Sequence, residues 1–210
     1  MKLIEKNWSV SSLSRRLPCK FLYVLAVCSF LQSAHVNASE ATTRIARYFD
    51  APGRAVYGAH QMVQELRNQR PDEAKAIDKS LTYFDADVFS AKVGTLLDRY
   101  LTVEDVRQTT QFMATPSGKL VENVFKRYKD PVALASAMNN FPPEDKRTSE
   151  RFFNSQSTLK ILKIMQSREA QEIWLQYGED LMCAYFAKND TNLLRSVQRK
   201  GKCLSENANN

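Results

Sequence analysis

Two pairs of adjacent carboxylates, Glu104-Asp105 and Glu144-Asp145, are the side chains best suited to chemistry in this sequence. Glycoside hydrolysis needs little more than two such groups, one acting as acid and the other as nucleophile or base. Acidic residues are also what the first turn of a helix favours, because they face the positive end of its dipole. Other chemistries lack their parts. The chain has two histidines, His35 and His60, and no Gly-x-Ser-x-Gly turn to set a nucleophile beside either. It has no His-Glu-x-x-His and no Cys-x-x-Cys, and Cys183, Cys203 and His60 do not have the spacing of a zinc site. Asp85-Ala86-Asp87 offers two carboxylates without the glycine turn of a calcium loop. Thr115-Pro116-Ser117-Gly118-Lys119 ends in Gly-Lys but lacks the upstream glycine of a phosphate loop. The free N–H groups of a helix starting there still suit a small anion. The expectation is no catalytic residue, no metal and no cofactor.

The elements that position these residues begin after a leader. Lys2, Lys6, Arg15, Arg16 and Lys20 form a basic region, the run Phe21–Leu31 is apolar, and Val36-Asn37-Ala38 supplies the residues a signal peptidase reads. Residues 1–38 are therefore expected to be an export signal cleaved near Ala38, directing the chain to the periplasm or beyond it. The apolar run is too short to cross a bilayer as a helix, which takes about 17–25 residues, so the mature chain is expected to carry no transmembrane span. Leu25-Ala26-Val27-Cys28 loosely resembles a lipoprotein box, with Val27 bulky where Gly or Ala is usual; lipidation at Cys28 is the competing reading. The whole chain has 30 basic and 23 acidic residues, net +7. Five of the basic residues and one of the acidic residues lie in positions 1–38, so the remainder carries only +3. Most of the positive excess belongs to the leader, and nucleic acid is not expected as a partner. Cys19 and Cys28 leave with it. Cys183 and Cys203 remain, and in an oxidising compartment they form a disulfide unless they lie too far apart to bridge.

The rest reads as helix. Six glycines and seven prolines are too few for the turns of a sandwich or barrel, and no stretch alternates with period two. The first helix is read as Ser39–Asp50, with Ile45, Tyr48 and Phe49 on one side and Ala51-Pro52-Gly53 breaking it. A second is read from about Arg54 to Asn68. Asp72 to Tyr100 is helical with a break near Phe84–Asp87. Thr102-Val103-Glu104-Asp105 is close to a capping box, and Thr115-Pro116 caps and starts the next helix. Short helices follow over Val132–Met138, Glu144–Phe153 and Thr158–Gln166. The last long one, from Arg168 to about Lys188, is read with a broad apolar face of Trp174, Gly178, Leu181 and Tyr185 with Leu175, Met182 and Phe186, and Tyr177 adds to its aromatics. The Asn139–Pro143 stretch is a candidate sub-boundary in a single domain over residues 39–204, and residues 205–210 read as a disordered tail. Arg195, Arg199, Lys200 and Lys202 make the C-terminal end basic, as a solvated terminus usually is.

A repeat runs through the middle. Glu104-Asp105-x-Arg107 matches Glu144-Asp145-x-Arg147 at an offset of 40 residues, and Phe112, Thr115, Ser117 and Val121 then match Phe152, Ser155, Ser157 and Ile161 without a gap. Each copy reads as a helix, a capped corner and a second helix, so the architecture expected is an all-α bundle of helical hairpins with an internal duplication.

The first copy carries a resemblance. Leu101-Thr102-x-Glu104-Asp105, followed by Phe112-Met113-Ala114-Thr115-Pro116-Ser117-Gly118-Lys119-Leu120, resembles the signature of a bacterial family, domain of unknown function 2059. The resemblance covers about Leu97–Val121; the second copy has neither the proline nor the glycine. It implies an exported helical protein with no assigned activity, and makes the corner residues Phe112, Thr115, Pro116, Gly118 and Lys119 the candidate binding residues. The function expected is that of a non-catalytic envelope protein presenting a helical face or groove to another protein or to an apolar ligand. The alternative is a cell-wall glycan hydrolase using the paired carboxylates.

Overall fold

The computed structural model describes residues 39–199 and 202–203. The expected export signal over 1–38, the Cys28 lipidation reading, Lys200 and the tail at 205–210 lie outside the described residues. Eleven α-helices and one 3-10 turn, with no strand, make up the described residues; the protein is all-α. They are α1 (Glu40–Tyr48), α2 (Ala51–Leu66), α3 (Pro71–Ser80), α4 (Ala86–Tyr100), α5 (Val103–Met113), α6 (Pro116–Arg127), α7 (Pro131–Asn139), α8 (Pro143–Phe153), α9 (Gln156–Met165), α10 (Arg168–Asn189) and α11 (Thr191–Gln198), with the 3-10 turn at Leu81–Tyr83.

Local chemistry sets most of the starts. The first N–H groups of a helix have no partner inside it and need an acceptor. Ser39, Asp85, Thr102, Thr115, Asp130, Ser155, Ser167 and Asp190 each supply a side-chain oxygen to a first-turn N–H. At Thr102 the box is complete, because the Asp105 carboxylate also accepts the Thr102 N–H at 2.9 Å. Ser155 starts α9 at Gln156, earlier than the Thr158 start expected. Ser39 is also tied across the fold. Its N–H donates to Asp98 Oδ2 at 2.6 Å and its hydroxyl to Asp98 Oδ1 at 3.0 Å, pinning the beginning of α1 to α4.

One boundary differs in kind. Ala51-Pro52-Gly53 was expected to break the chain, yet α2 begins at Ala51 and includes all three. Proline is tolerated in a first turn because its missing N–H would be unpaired there anyway. Asp50 makes the break instead, in the left-handed region at φ 52°.

The core forms where α1 packs on α4 and α5, with α9 and α10 also lying against α4. Ile45, Leu96, Leu97, Val121 and Ile161 are fully buried at its centre. Tyr48 and Phe49 reach from the end of α1 into a cluster with Phe112, Phe125 and Phe152. A second aromatic group, Phe84, Phe89, Trp174 and Tyr177, joins α4 to α10. Tyr177 secures it by accepting the Asp85 N–H at 3.0 Å and donating to the Asp85 carbonyl at 3.1 Å. Leu175, read as part of the apolar face of α10, is 64% exposed. It lies about 100° around the helix from Trp174, off the stripe that Trp174, Tyr177 and Leu181 present to the core. The Asn139–Pro143 stretch is the turn between α7 and α8, and buried residues on both sides of it belong to one core cluster. Cys183 and Cys203 form a disulfide, Cα–Cα 5.3 Å, which ties the segment after α11 back to α10. Lys202 adds an ion pair with Glu179 at 2.8 Å. No described helix is long and apolar enough to cross a membrane.

Candidate functional site

The corner residues singled out by sequence form a structural joint. Thr115 Oγ1 accepts the Gly118 N–H at 3.0 Å and donates to the Phe112 carbonyl at 2.7 Å. Pro116 takes the first position of α6. Gly118 is buried, and a Cβ built on it would overlap the Phe112 carbonyl oxygen and lie 3.0 Å from Met113 Cα, so only glycine lets the two helices approach this closely. The buried Tyr48 hydroxyl donates to the Gly118 carbonyl at 3.0 Å. Lys119 points outward and is exposed.

The α8–α9 hairpin, with its corner at Ser155, is joined to the α5–α6 hairpin by exchanged contacts. Ser117 Oγ donates to Asp145 Oδ1 at 2.6 Å, and Ser157 Oγ donates to Asp105 Oδ1 at 3.0 Å. These are one bond made twice, with the roles of the α5–α6 and α8–α9 hairpins swapped. Phe112 and Phe152 stack face to face between them, ring centroids 3.8 Å apart. Glu104–Arg107 and Glu144–Arg147 repeat the same ion pair on the outer faces of α5 and α8. The correspondence is incomplete in its charges: Lys160 binds Asp105 at 2.8 Å, whereas Leu120 occupies the matching position in the first hairpin.

The carboxylates so placed suit a scaffold better than acid catalysis. Lys160 chiefly, with the Thr102 amide and hydroxyl and Ser157, holds the Asp105 carboxyl well below the usual range, against the opposing effect of burial. Arg107, then Gln108, bring Glu104 down to about 2. A general acid at neutral pH needs the opposite shift. The depressed Asp105 has a consequence for stability. A carboxyl with a lowered folded-state pKa contributes stability above its unfolded value, near 3.9, and that contribution is lost as pH falls through the folded value. Acid unfolding of the protein should therefore steepen below about pH 4. Asp105→Asn should cost about 2 kcal/mol at neutral pH and flatten the curve in that window, as read by chemical unfolding at a series of pH values. An equally steep acid limb in the variant would show that Asp105 does not carry it.

The other sequence candidates are also accounted for locally. Asp85 caps α4 through the Asp87 and Val88 N–H groups, and Asp87 pairs with Arg47 at 3.0 Å. His60 lies on the exposed face of α2, with Nδ1 3.8 Å from Asp78. Among the described residues no three of His, Cys, Asp or Glu stand together as a metal would require.

The feature able to hold a ligand lies elsewhere, and it grows from the sequence of α2. Ala51, Ala55 and Gly58 recur at helical spacing, so beyond Arg54 one face of α2 carries little side-chain bulk. Opposite this face stand Phe89 and Val93 of α4, Trp174 of α10, Leu162 and Met165 of α9, and Leu134 and Met138 of α7. Between them is a cavity of about 650 Å³, floored by Phe49 and Phe125. A Cβ placed on Gly58 would meet nothing within 4 Å. Helix α7 forms one wall although none of its own residues is fully buried. The lining is apolar except for Gln166, Gln171 and Arg54, and Arg54 is its one charged side chain.

No family model, no curated protein and no solved structure matches the chain. The geometry alone therefore carries the functional reading. None of Phe112, Thr115, Pro116, Gly118 and Lys119 lines the cavity. The residues that do line it have small or apolar side chains, which in a sequence look like ordinary core. Two signals were present in the sequence. Arg54 is the single charge in the run Ala51-Pro52-Gly53-Arg54-Ala55-Val56-Tyr57-Gly58-Ala59, and Val132–Met138 is an apolar helix too short to build a core of its own.

Proposed function

We propose that this is an exported, non-catalytic helical protein that binds an apolar ligand in the cavity between α2, α4, α7, α9 and α10. The cavity itself carries the reading. A cleft of about 650 Å³ that opens to solvent beside Trp174, Phe89 and Leu162 leaves hydrocarbon surface in contact with water, and an apolar ligand would cover it. Ligand pockets lie in this size range and are mostly apolar with a few polar groups. Met138 and Met165 in the lining suit adaptable contact, because their side chains are flexible and polarizable.

Export is part of the same proposal. Its support is the basic, apolar and small-residue pattern of positions 1–38, and the Cys183–Cys203 disulfide agrees with an oxidising compartment such as the periplasm. Membership of the domain of unknown function 2059 family is proposed on the Leu97–Val121 motif alone. A duplication of the α5–α6 hairpin into α8–α9 is proposed on the 40-residue offset, and the exchanged Ser117–Asp145 and Ser157–Asp105 bonds support it.

The test is binding of N-phenyl-1-naphthylamine, an uncharged apolar fluorophore, to the purified protein. Saturable fluorescence enhancement is expected, and Gly58→Leu, which places a side chain in the open space, should weaken it by at least about tenfold while circular dichroism stays helical. Absence of saturable binding to the native protein would sink the proposal. So would undiminished binding to the folded Gly58→Leu variant.

A further inference from the structure

We infer that the cavity takes a long-chain carboxylate, its hydrocarbon against the apolar walls and its head on the Arg54 guanidinium. This rests on the cavity being a ligand site. The argument begins with charge. Arg54 sits in the first turn of α2 and is the one charged side chain in the lining. Its Nε donates to the Phe49 carbonyl at 3.2 Å, and its guanidinium lies 5.2 Å from the centre of the Phe125 ring. These two contacts fix the plane of the group. Among the described residues its terminal amino groups make no hydrogen bond and no ion pair.

The carboxylate that would ordinarily answer this charge is already engaged. Asp50, four residues before Arg54, forms an ion pair with Lys129. Lys129 is further held by the Phe125 carbonyl at 2.9 Å and the Lys126 carbonyl at 2.6 Å. Counting Arg54, Lys129 and Asp50 together leaves one positive charge at this end of the cavity. Burial lowers the Arg54 pKa, and Asp50 opposes that effect. An arginine in a protein nevertheless stays protonated, so the charge persists and is only partly hydrated.

A half-buried guanidinium with spare donors beside an apolar space fits a single anion at the end of an apolar chain. Its two parallel N–H groups match the two oxygens of a carboxylate. One net charge matches a monoanion rather than a phosphate, which would gather further cations.

Displacement of N-phenyl-1-naphthylamine from the intact protein separates this inference from the reading beneath it. Hexadecanoate and hexadecanol have the same chain and differ in the head. At neutral pH the acid should displace the probe at least about tenfold more tightly than the alcohol, the effect expected of a hydrogen bond between charged groups. In Arg54→Gln the acid's advantage should vanish, and in Arg54→Lys part of it should return. Equal displacement by acid and alcohol in the native protein would overturn the carboxylate assignment while leaving an apolar site. An advantage that survives in Arg54→Gln would overturn it too. Failure of the probe itself to bind would remove the site and the inference together.

Discussion

Replacing Phe152 with alanine is expected to destabilise the protein by about 3–5 kcal/mol, the usual range for truncating a buried aromatic ring. Phe152 lies in the last turn of α8, is 8% exposed, and packs against four rings at once. It stacks on Phe112 and, at longer range, Phe49, and lies edge-on to Tyr48 and Phe153. Truncation removes the ring's own burial and also empties the space between the two hairpins where the exchanged serine–aspartate bonds meet. Phe112→Ala should cost a similar amount, but the two costs should not add. Each variant already loses the stack, worth about 0.5–1.5 kcal/mol beyond the area buried, so the double variant should fall short of the sum by about that much. Urea unfolding of the four proteins of this cycle measures the coupling. Strict additivity would show that the stacked geometry contributes nothing of its own.

Gly118→Ala is expected to cost about 2 kcal/mol although alanine is the better helix former. Alanine favours a helix interior over glycine by about 0.5–1 kcal/mol. Here the added methyl would press on the Phe112 carbonyl oxygen and Met113 Cα, which are backbone atoms and cannot rotate away. Overfilling a packed site costs about 1–3 kcal/mol, and more when the chain must move. Separating α5 from α6 would also pull the Gly118 carbonyl from Tyr48. Gly178→Ala is the control, because a Cβ there meets nothing within 4 Å, and it should gain stability by the helix preference alone. At about 2–4 °C per kcal/mol for a chain of this size, the two alanine variants should shift the melting temperature in opposite directions. A stabilised Gly118→Ala protein would mean that the joint can open without penalty.

The all-helical fold was legible because several local signals agreed. Caps at Thr102 and Thr115, prolines at first-turn positions and apolar spacings of three and four all point to the same elements. The α1–α2 corner was misread because Pro52 and Gly53 suggest a break by type, whereas the left-handed conformation of Asp50 depends on what surrounds it. The pairing of the two repeats face to face was not legible. A 40-residue offset reports similarity but not orientation, and Ser117 reaching Asp145 depends on how four helices cross. The cavity was hardest to see, because an empty space has no residue of its own. It follows from what Ala51, Ala55 and Gly58 lack.

The tie between Ser39 and Asp98 bears on the proposed cleavage after Ala38. In the uncut chain the Ser39 nitrogen is an amide. Were the leader removed after Ala38 as proposed, the same nitrogen would become an ammonium group, 2.6 Å from a carboxylate oxygen already in place. Such a cut would create an end that is anchored as it forms. Exopeptidases work best on frayed termini, and this one would have to be lifted off α4 before a residue could be removed. The aspartate would thus act as a stop, defining the first residue of the finished protein from within the folded domain.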